Sequence, residues 1–431
     1  EIRLSLVGSE MCIRDRRGIR WCVMRLRYDR RRDRLSAVEV LSVSPDSPVS
    51  ISSSSVLPAA VLRAQQYATR LAFLVSGVAV AVWAPLVPFA KARAGLDEGG
   101  LGLLLLCLGT GSILAMPMAG ALAARLGCRK VLVGAVALIV LMLPLLAWAS
   151  TWWLLAGALF VFGAGAGALD CAMNLLAVAV ERDSERPMMS GFHGLYSVGG
   201  LLGATAMSGL LSLGLVPLAA CGVMLLLMVG CTVWAAPHWR QERAAGAHGP
   251  AFQLPRGGVL FIGLLCLACF LVEGAMLDWS AVFLADLRGM PAAQAGLGFA
   301  LFSATMALGR LTGDAVIQRL GQRRAVLGGG LVAGAGLLLI VLVPHAGLAL
   351  LGHALVGLGC ANVVPVMFSL AGRHPDMPPS VSIPAITTLG YAGVLMGPAL
   401  IGFVAHASSL QAAFMGLAVL MLGVAASARR L

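Results

Sequence analysis

Twelve long apolar runs constrain the fold of this chain more than any other feature. Each is close to the ~20 residues that an α-helix needs to cross the hydrocarbon core of a bilayer. The runs fall at 67–90, 100–123, 131–149, 152–178, 190–212, 215–235, 259–284, 294–317, 325–344, 346–371, 383–405 and 409–427. A polar stretch at 236–257 separates the first six from the last six. The pattern predicts an all-α membrane protein with twelve transmembrane helices.

Composition excludes the competing fold classes. Hydrophobic residues make up 59% of the chain, charged residues 12%, and the mean hydropathy is +0.91, values that a soluble domain of this size does not carry. A transmembrane barrel would show roughly ten-residue stretches of alternating polarity, whereas these runs are continuous. The net charge of +12 is concentrated in a basic tail and short loops, so no nucleic-acid partner is expected.

The two sets of six runs repeat at a constant offset of 194 residues. The clearest match aligns Arg125-Leu-Gly127-x-Arg129-Lys130 with Arg319-Leu-Gly321-x-Arg323-Arg324. The same offset superposes glycines in several runs: Gly95 on Gly289, Gly102 on Gly296, Gly163 on Gly357, Gly165 on Gly359, Gly199 on Gly393 and Gly203 on Gly397. Because each repeat holds an even number of spans, we expect two parallel six-helix halves, 63–235 and 258–431, with a substrate site between them.

The distribution of basic residues predicts the orientation. With the N-terminus inside, 17 of the 31 Lys and Arg fall on the cytoplasmic side and three (Lys91, Arg93 and Arg288) fall outside, with 11 in the N-terminal tail. The positive-inside rule therefore predicts that both termini and the central linker, 236–257, are cytoplasmic.

The N-terminal extension, 1–62, does not fit this pattern. Residues 1–16 look like translated sequencing-adapter sequence. The Arg-rich and then Ser-rich segment that follows has the composition of a disordered chain, although its Arg cluster could alternatively dock on anionic lipid. We expect the extension to be disordered or artefactual.

The loop after the second run resembles a known family motif. It reads Gly120-Ala-Leu-Ala-Ala124-Arg125-Leu-Gly127-Cys-Arg129-Lys130. This is similar to the Gly-x-Leu-x-Asp-Arg-x-Gly-Arg/Lys-Arg/Lys signature of the major facilitator superfamily, which returns weakly between helices 8 and 9, here at Arg319, Gly321, Arg323 and Arg324. In that family the Asp latches the cytoplasmic gate. Ala124 replaces it here, and Asp314 is a candidate to serve instead.

Three shorter strings resemble a poorly characterised bacterial branch of the family, near the fucose-type sugar permeases, and this likeness implies a multi-pass protein of the bacterial inner membrane. They are Asp170-Cys-Ala-Met-Asn174, His193-Gly-Leu-Tyr196-Ser and Glu273-Gly-Ala-Met-Leu-Asp278-Trp-Ser. The likeness implies uptake rather than export. In agreement, the fifth run lacks the Gly-Pro signature of drug antiporters.

Few charged side chains lie inside the predicted spans, where each costs roughly 2.5 to 3.5 kcal/mol. Asp170 and Asn174 are four residues apart and share a helix face, either as a substrate or proton contact or as a structural bond between helices. Glu273 is the stronger proton-binding candidate, because it is cheap to bury when protonated and needs a cation when ionised. Asp278 is near the outer end of the same run.

Further polar residues are candidates for gating or ligand contact. Arg310 and Asp314 have the i, i+4 spacing of an ion pair near the cytoplasmic end of the eighth run. His193 and Tyr196 open the fifth run, where a gating role and a structural hydrogen bond are both open. Asn362 and Tyr391 could bond a sugar-like ligand or a neighbouring helix.

The resulting hypothesis is a secondary active transporter that moves a small polar organic solute, possibly sugar-like, by alternating access with protons. It is expected to act as a monomer in the lipid bilayer, without cofactor or metal. A proton-coupled drug or metabolite exporter and a non-transporting membrane sensor are the alternatives. No phosphate-binding loop, metal-ligand pattern or nucleophile motif is present in the sequence, so enzymatic activity is not predicted.

Overall fold

The computed structural model describes residues 3–7, 10–14, 21–29, 34–43, 58–96, 98–241 and 255–431. These belong to two units, one within residues 1–58 and one spanning 59–431. The central linker predicted at 236–257 is described only at its two ends, and its middle, 242–254, lies outside the described residues. The Ser-rich segment 44–57 also lies outside them.

The first unit is a four-stranded antiparallel sheet in the order β1-β2-β3-β4. Its strands are β1 Arg3–Val7, β2 Glu10–Arg14, β3 Trp21–Asp29 and β4 Arg34–Val43. This backbone differs from the disorder expected of the extension. The reason is visible in β3, where Met24, Leu26 and Tyr28 alternate with charged residues at the two-residue period of a strand. An overall count of Arg and Ser hides that period.

The second unit is helical across its described residues. Twelve long helices follow the predicted runs: the first begins eight residues earlier and ends seven earlier than its run, the fourth ends six residues later, and the other ten agree within four residues. They are α1 Ala59–Trp83, α2 Glu98–Leu126, α3 Cys128–Trp148, α4 Trp152–Ser184, α5 Met189–Ser212, α6 Pro217–Ala235, α7 Gly257–Arg288, α8 Leu297–Leu320, α9 Gln322–Leu342, α10 Ala346–Cys360 with Val363–Ala371, α11 Pro379–Ala407 and α12 Leu410–Ser427. Shorter helices are Val87–Ala94, which continues α1 beyond the turn Ala84–Leu86, and Ala292–Ala295 before α8.

Two helices depart from a simple apolar span. Among the described residues, eleven helices are long and apolar enough to cross a membrane, and α8 is the long helix outside that set. It carries Arg310, Asp314 and Arg319. Helix α10 is interrupted at Ala361 and Asn362. Pro365, four residues after Ala361, has no N–H to donate to that carbonyl, which accounts for the break.

The 194-residue repeat is visible in equivalent contacts of the two halves. A Cβ on Gly163 would overlap the carbonyl of Leu108, and a Cβ on Gly357 would overlap that of Phe302, so α4 lies on α2 as α10 lies on α8. In both places the absent side chain lets two backbones touch.

Two arginines make similar contacts in the two halves, although Arg288 lies 195 rather than 194 residues after Arg93. Arg93 donates to the carbonyls of Leu146 and Ala149 at 2.8 and 2.7 Å, where α3 ends. Arg288 donates to the carbonyls of Ile340 and Val341 at 2.6 and 2.8 Å, where α9 ends. A cation at a helix C-terminus satisfies orphan carbonyls and favours the helix dipole.

The halves meet along two seams. In the α2–α11 seam, a Cβ on Gly120 would overlap Pro384, and Gly109 lies against Leu395. In the α5–α8 seam, Gly191 lies against Asp314 and Gly194 against Leu311. Gly120, Gly191 and Asp314 mark the end of the bundle that carries the Arg-rich loops, which we call the basic end.

Candidate functional site

A buried ion pair lies near the middle of the bundle. Arg310 Nη2 is 3.1 Å from Glu273 Oε1 and 3.4 Å from Oε2. Only 7% of the Arg310 side chain and 16% of the Glu273 side chain are exposed. Both residues come from central positions of their helices, α8 and α7. Since each charge compensates the other, the pair makes two otherwise costly residues tolerable at this depth.

The ion pair reaches the other half of the molecule. Arg310 Nη1 donates to Ser197 Oγ in α5 at 3.3 Å. Tyr196, next to Ser197, is within electrostatic range of Asp170, Glu273 and Arg310, and Tyr391 is within range of Asp170 and Tyr196. We call Asp170, Tyr196, Glu273, Arg310 and Tyr391 the central polar cluster. It draws on α4 and α5 of one half and α7, α8 and α11 of the other.

The structure corrects the interpretation of Arg310 and Asp314. The i, i+4 spacing suggested that they pair with each other near the cytoplasmic end of α8. Instead Arg310 turns to Glu273 on α7 and lies near the middle of α8. Asp314 accepts a hydrogen bond from the start of α5. A local spacing permits a pair, but a better partner on a neighbouring helix overrides it.

Two carboxylates cap the start of α5 at the basic end. Asp314 Oδ2 accepts from the backbone N–H of Gly191 at 3.1 Å, across the α5–α8 seam. Glu181 Oε2, on α4, accepts from the N–H groups of Met188 and Met189 at 2.9 and 2.8 Å. The first N–H groups of a helix lack intrahelical partners and carry partial positive charge, so anions stabilise them.

A second contact joins the halves close to this cap. Arg373, just after α10, lies with Nη2 3.4 Å from Glu181 Oε1. Glu181 therefore serves both the α5 cap within its own half and an ion pair with the other half. The Arg373 side chain is half-exposed, whereas the Glu181 side chain is buried.

His193 packs between the halves rather than facing an open space. Its ring centroid is 5.1 Å from that of Phe73 on α1 and 5.5 Å from that of Phe368 on α10. Its Nδ1 is 2.9 Å from the carbonyl oxygen of Met189. Of the two readings left open by the sequence, the hydrogen bond is present, and a gating role stays a prediction.

A cavity of about 1050 Å³ opens at the basic end between the two halves. Its walls come from the α4–α5 connection on one side and from the α8–α9 and α10–α11 connections on the other. Half of the lining residues are polar, namely Glu181, Arg182, Glu185, Arg186, Gln318, Gln322, Arg373 and His374.

Three residues predicted to bind ligand, Asn174, Asp278 and Asn362, are not part of the central polar cluster. Asn174 is buried, and its amide donates to the backbone carbonyl of Asp170 at 2.9 Å. Asp278 is exposed on α7. Asn362 stands at the break in α10, where a Cβ on Gly313 of α8 would overlap its side-chain oxygen. The roles predicted for these three in ligand binding stay predictions.

The family motif residues occupy the basic end. Gly127 and Gly321 connect α2 to α3 and α8 to α9 with φ of 87° and 82°, a region that favours glycine. The basic residues around them are exposed or partly exposed: Arg125, Arg129, Lys130, Arg319, Arg323 and Arg324. Ala124, which replaces the family's Asp, is buried.

Sequence reasoning missed Ser197, Glu181 and Arg373. Ser197 ends the string that begins at His193, but nothing in the sequence distinguishes it from a serine that bonds its own backbone. Glu181 did offer one, since an acid shortly before the start of the next helix is a candidate cap. Within the described residues, no group of three His, Cys, Asp or Glu side chains is placed to hold a metal ion.

Twelve long helices in two equivalent halves, with a charged cluster at their shared interface, define a polytopic membrane carrier. The chain matches the family model for the Major Facilitator Superfamily over residues 69–383 and belongs to that family. It is therefore a membrane transporter of a small-molecule substrate and not an enzyme.

The relatives agree with this assignment. An uncharacterized MFS-type transporter of Yersinia pestis is 52% identical over 365 residues, covering 85% of this chain and 95% of that protein. Among solved structures, the fucose:proton symporter of E. coli superposes with a TM-score of 0.71 at 16% identity, covering 85% of this chain and 98% of that one. A human organic anion transporter superposes with a TM-score of 0.70 at 18% identity, covering 85% and 99%. These two likenesses concern the fold.

Proposed function

We propose that this transporter takes up a small polar organic solute together with protons, by alternating access between its two halves. The observation that carries the proposal is the ion pair between Glu273 and Arg310. It lies deep in the bundle and bonds, through Ser197, to the opposite half. A fucose:proton symporter built on the same fold is a precedent for such a carrier.

Alternating access supplies the reason for protons. When the halves rock, contacts at their interface are made and broken, so the surroundings of Glu273 change during the cycle. An ionised carboxylate is stable beside Arg310, and a protonated one is stable without a cation. Glu273 can therefore take a proton in one state of the cycle and release it in the other.

Asp170 is a second proton site in this proposal. Among the described residues its carboxylate has no hydrogen bond or ion pair, and the side chain is partly buried on the face of α4 toward Tyr196 and Tyr391. A carboxylic acid in such surroundings is favoured in its neutral form. The two acids belong to opposite halves, which suits a site that both halves close around.

The basic end faces the cytoplasm in this proposal, following the positive-inside rule. Impermeant thiol labelling of a cysteine introduced at exposed Lys130 tests it, in a variant without other cysteines. We expect labelling from the cytoplasmic side of inverted vesicles and none in intact spheroplasts. Labelling in spheroplasts would reverse the orientation and the direction assigned to transport.

Glu273→Gln tests the coupling. The amide imitates a permanently protonated acid, so proteoliposomes carrying this variant should lose solute accumulation driven by a pH gradient but keep exchange between equal solute concentrations. Asp286→Asn, an exposed acid on the same helix, is the matched control and should accumulate as the parent does. If Glu273→Gln accumulates solute as well as the parent, Glu273 is not the coupling residue.

A further inference from the structure

The guanidinium of Arg310 is poorly satisfied by its partner. Both contacts to Glu273 come from the single atom Nη2, at 3.1 and 3.4 Å, whereas a matched arginine–carboxylate pair uses two nitrogens in parallel. Its Nε is buried and has no hydrogen-bond partner among the described residues. A buried donor left unpaired costs about 1 to 3 kcal/mol. Arg310 thus retains binding capacity that Glu273 does not use.

Hydroxyl groups of α5 lie near this cation, and a further one on α11 lies near Tyr196. Tyr196 and Tyr391 are half-buried, and their hydroxyls form no hydrogen bond with any residue in the described part of the chain. Ser197 Oγ already contacts Nη1 of Arg310. A cation with hydroxyl groups close by suits a ligand that combines a carboxylate with other polar groups.

We propose that Arg310 binds the carboxylate of an anionic organic solute, and that Glu273 holds this cation when no solute is bound. This proposal rests on the proposed transport function and deepens it by naming the solute class. A proton on the carboxylate of Glu273 ends its charge interaction with Arg310. The solute carboxylate then takes the place of Glu273, and one proton and one negative charge cross together.

The release step reverses these exchanges. When the site opens to the other side, the solute leaves, Glu273 loses its proton to that side, and the ion pair of Glu273 with Arg310 forms again. A solute with one negative charge moves with the one proton of Glu273, and Asp170 keeps its proton throughout, so no net charge moves in the cycle. Transport is therefore driven by a pH gradient and by the solute gradient, and it is insensitive to membrane potential.

Other ionisable groups near the pair bear on this exchange. Those within electrostatic range of Glu273 or Arg310 are Cys266 and Cys269 on α7, Cys360 on α10, and His193 and Tyr196 on α5. Asp170 on α4 and Tyr391 on α11 complete the surroundings through Tyr196. An ionised Asp170 would repel an anionic solute, so Asp170 is protonated while the solute is bound.

Acetate binding to Glu273→Gln tests the site without knowledge of the natural solute. In this variant Arg310 has lost its carboxylate partner, so acetate should raise the melting temperature of the detergent-solubilised protein, because a ligand that binds the folded state stabilises it. Acetamide, which has the same shape without charge, should not. In Glu273→Gln/Arg310→Gln the acetate concentration needed should rise at least about tenfold, the loss of one charged contact.

A second variant protects the test against misfolding. Glu273→Met/Arg310→Met removes both charges, and replacing a buried ion pair by apolar residues is often neutral for stability. Acetate should not raise the melting temperature of this variant. Equal stabilisation of Glu273→Gln and of the variants without Arg310, or no stabilisation of Glu273→Gln at all, would overturn the proposal.

The parent protein supplies a pH control. Acetate should stabilise it more at about pH 5.5 than at about pH 7.5, because protons compete with Arg310 for the Glu273 carboxylate, while Glu273→Gln should respond equally at both. A parent that responds equally at both values contradicts competition between acetate and Glu273.

These outcomes separate the two proposals. If acetate binds as expected but a pH gradient does not drive accumulation, the results support the anion site at Arg310 and contradict proton coupling. If accumulation depends on Glu273 but acetate ignores Arg310, coupling stands and the solute is not held by its carboxylate.

Discussion

The two seams between the halves occupy equivalent positions in the repeat but are chemically different. Gly120 of α2 corresponds, at the offset of 194 residues, to Asp314 of α8. In the α2–α11 seam Gly120 lies directly on Pro384 and Ser380. In the α5–α8 seam Asp314 accepts a hydrogen bond from the start of α5. One seam closes by van der Waals contact and the other by charge.

This difference indicates where the energy of the conformational change is concentrated. A glycine packed on a neighbouring helix favours close approach of the two helices. It has no side chain that could bind a proton or contact the solute. The α5–α8 seam contains Asp314 and, deeper in the bundle, Arg310 bonded to Ser197. We therefore expect the α2–α11 seam to act as a steric contact and the α5–α8 seam to respond to protons and solute.

The largest expected effect is from Arg310→Ala. It leaves Glu273 buried without its cation, and breaking a buried ion pair costs about 3 to 5 kcal/mol. We expect a strongly lowered melting temperature and no transport. Arg63→Ala, which removes an exposed arginine, should match the parent.

A companion variant separates stability from transport. Glu273→Met/Arg310→Met should regain much of the lost melting temperature without regaining transport. Recovery of transport would show that the pair is structural, and the α5–α8 seam would then lose its special position.

Next in size is Gly120→Val in the α2–α11 seam. The new side chain would overlap Pro384 and the carbonyl oxygen of Ser380, and overpacking of this kind costs about 1 to 3 kcal/mol. The basic end should open more often. The measurement is the alkylation rate of a cysteine introduced at buried Ser190, in a variant without other cysteines. Gly134→Val, where no atom lies within 4 Å of the added Cβ, should leave that rate unchanged.

A smaller effect is expected from Asp314→Ala in the equivalent position. Losing a helix cap costs about 0.5 to 2 kcal/mol. The alkylation rate at position 190 should again rise, by less than in Gly120→Val. Asp314→Asn keeps an acceptor oxygen and should fall between Asp314→Ala and the parent. An Asp314→Ala effect larger than that of Gly120→Val would show that the α5 cap, rather than the steric contact at Gly120, keeps the basic end closed.

The smallest effect is expected from Arg373→Gln. Arg373 is half-exposed, and ion pairs open to solvent contribute about 0.2 to 1 kcal/mol. The change in melting temperature should be slight at low salt and vanish at high salt, because screening already weakens the contact in the parent. A large effect independent of salt would place Arg373 in the closure of the basic end itself.

Much of the architecture could be read from the sequence. Apolar runs predicted the helices because the bilayer imposes a length and a composition on any segment that crosses it. The offset of 194 residues predicted the two halves because duplicated segments keep their glycines where helices touch, as at Gly163 and Gly357. The strands at 3–43 were not predicted, because the composition of that segment concealed a short alternation.

The partners of the charged residues were decided by tertiary structure alone. Glu273, Arg310 and Asp170 could be singled out because a charge in a transmembrane helix is expensive at any position in the fold. The bond of Arg310 to Glu273 rather than to Asp314 depends on how α7 and α8 are rotated against each other. The cap of α5 by Asp314 depends on the approach of two helices from different halves. Neither arrangement leaves a local pattern, since each joins residues far apart in the chain that only the packed bundle brings together.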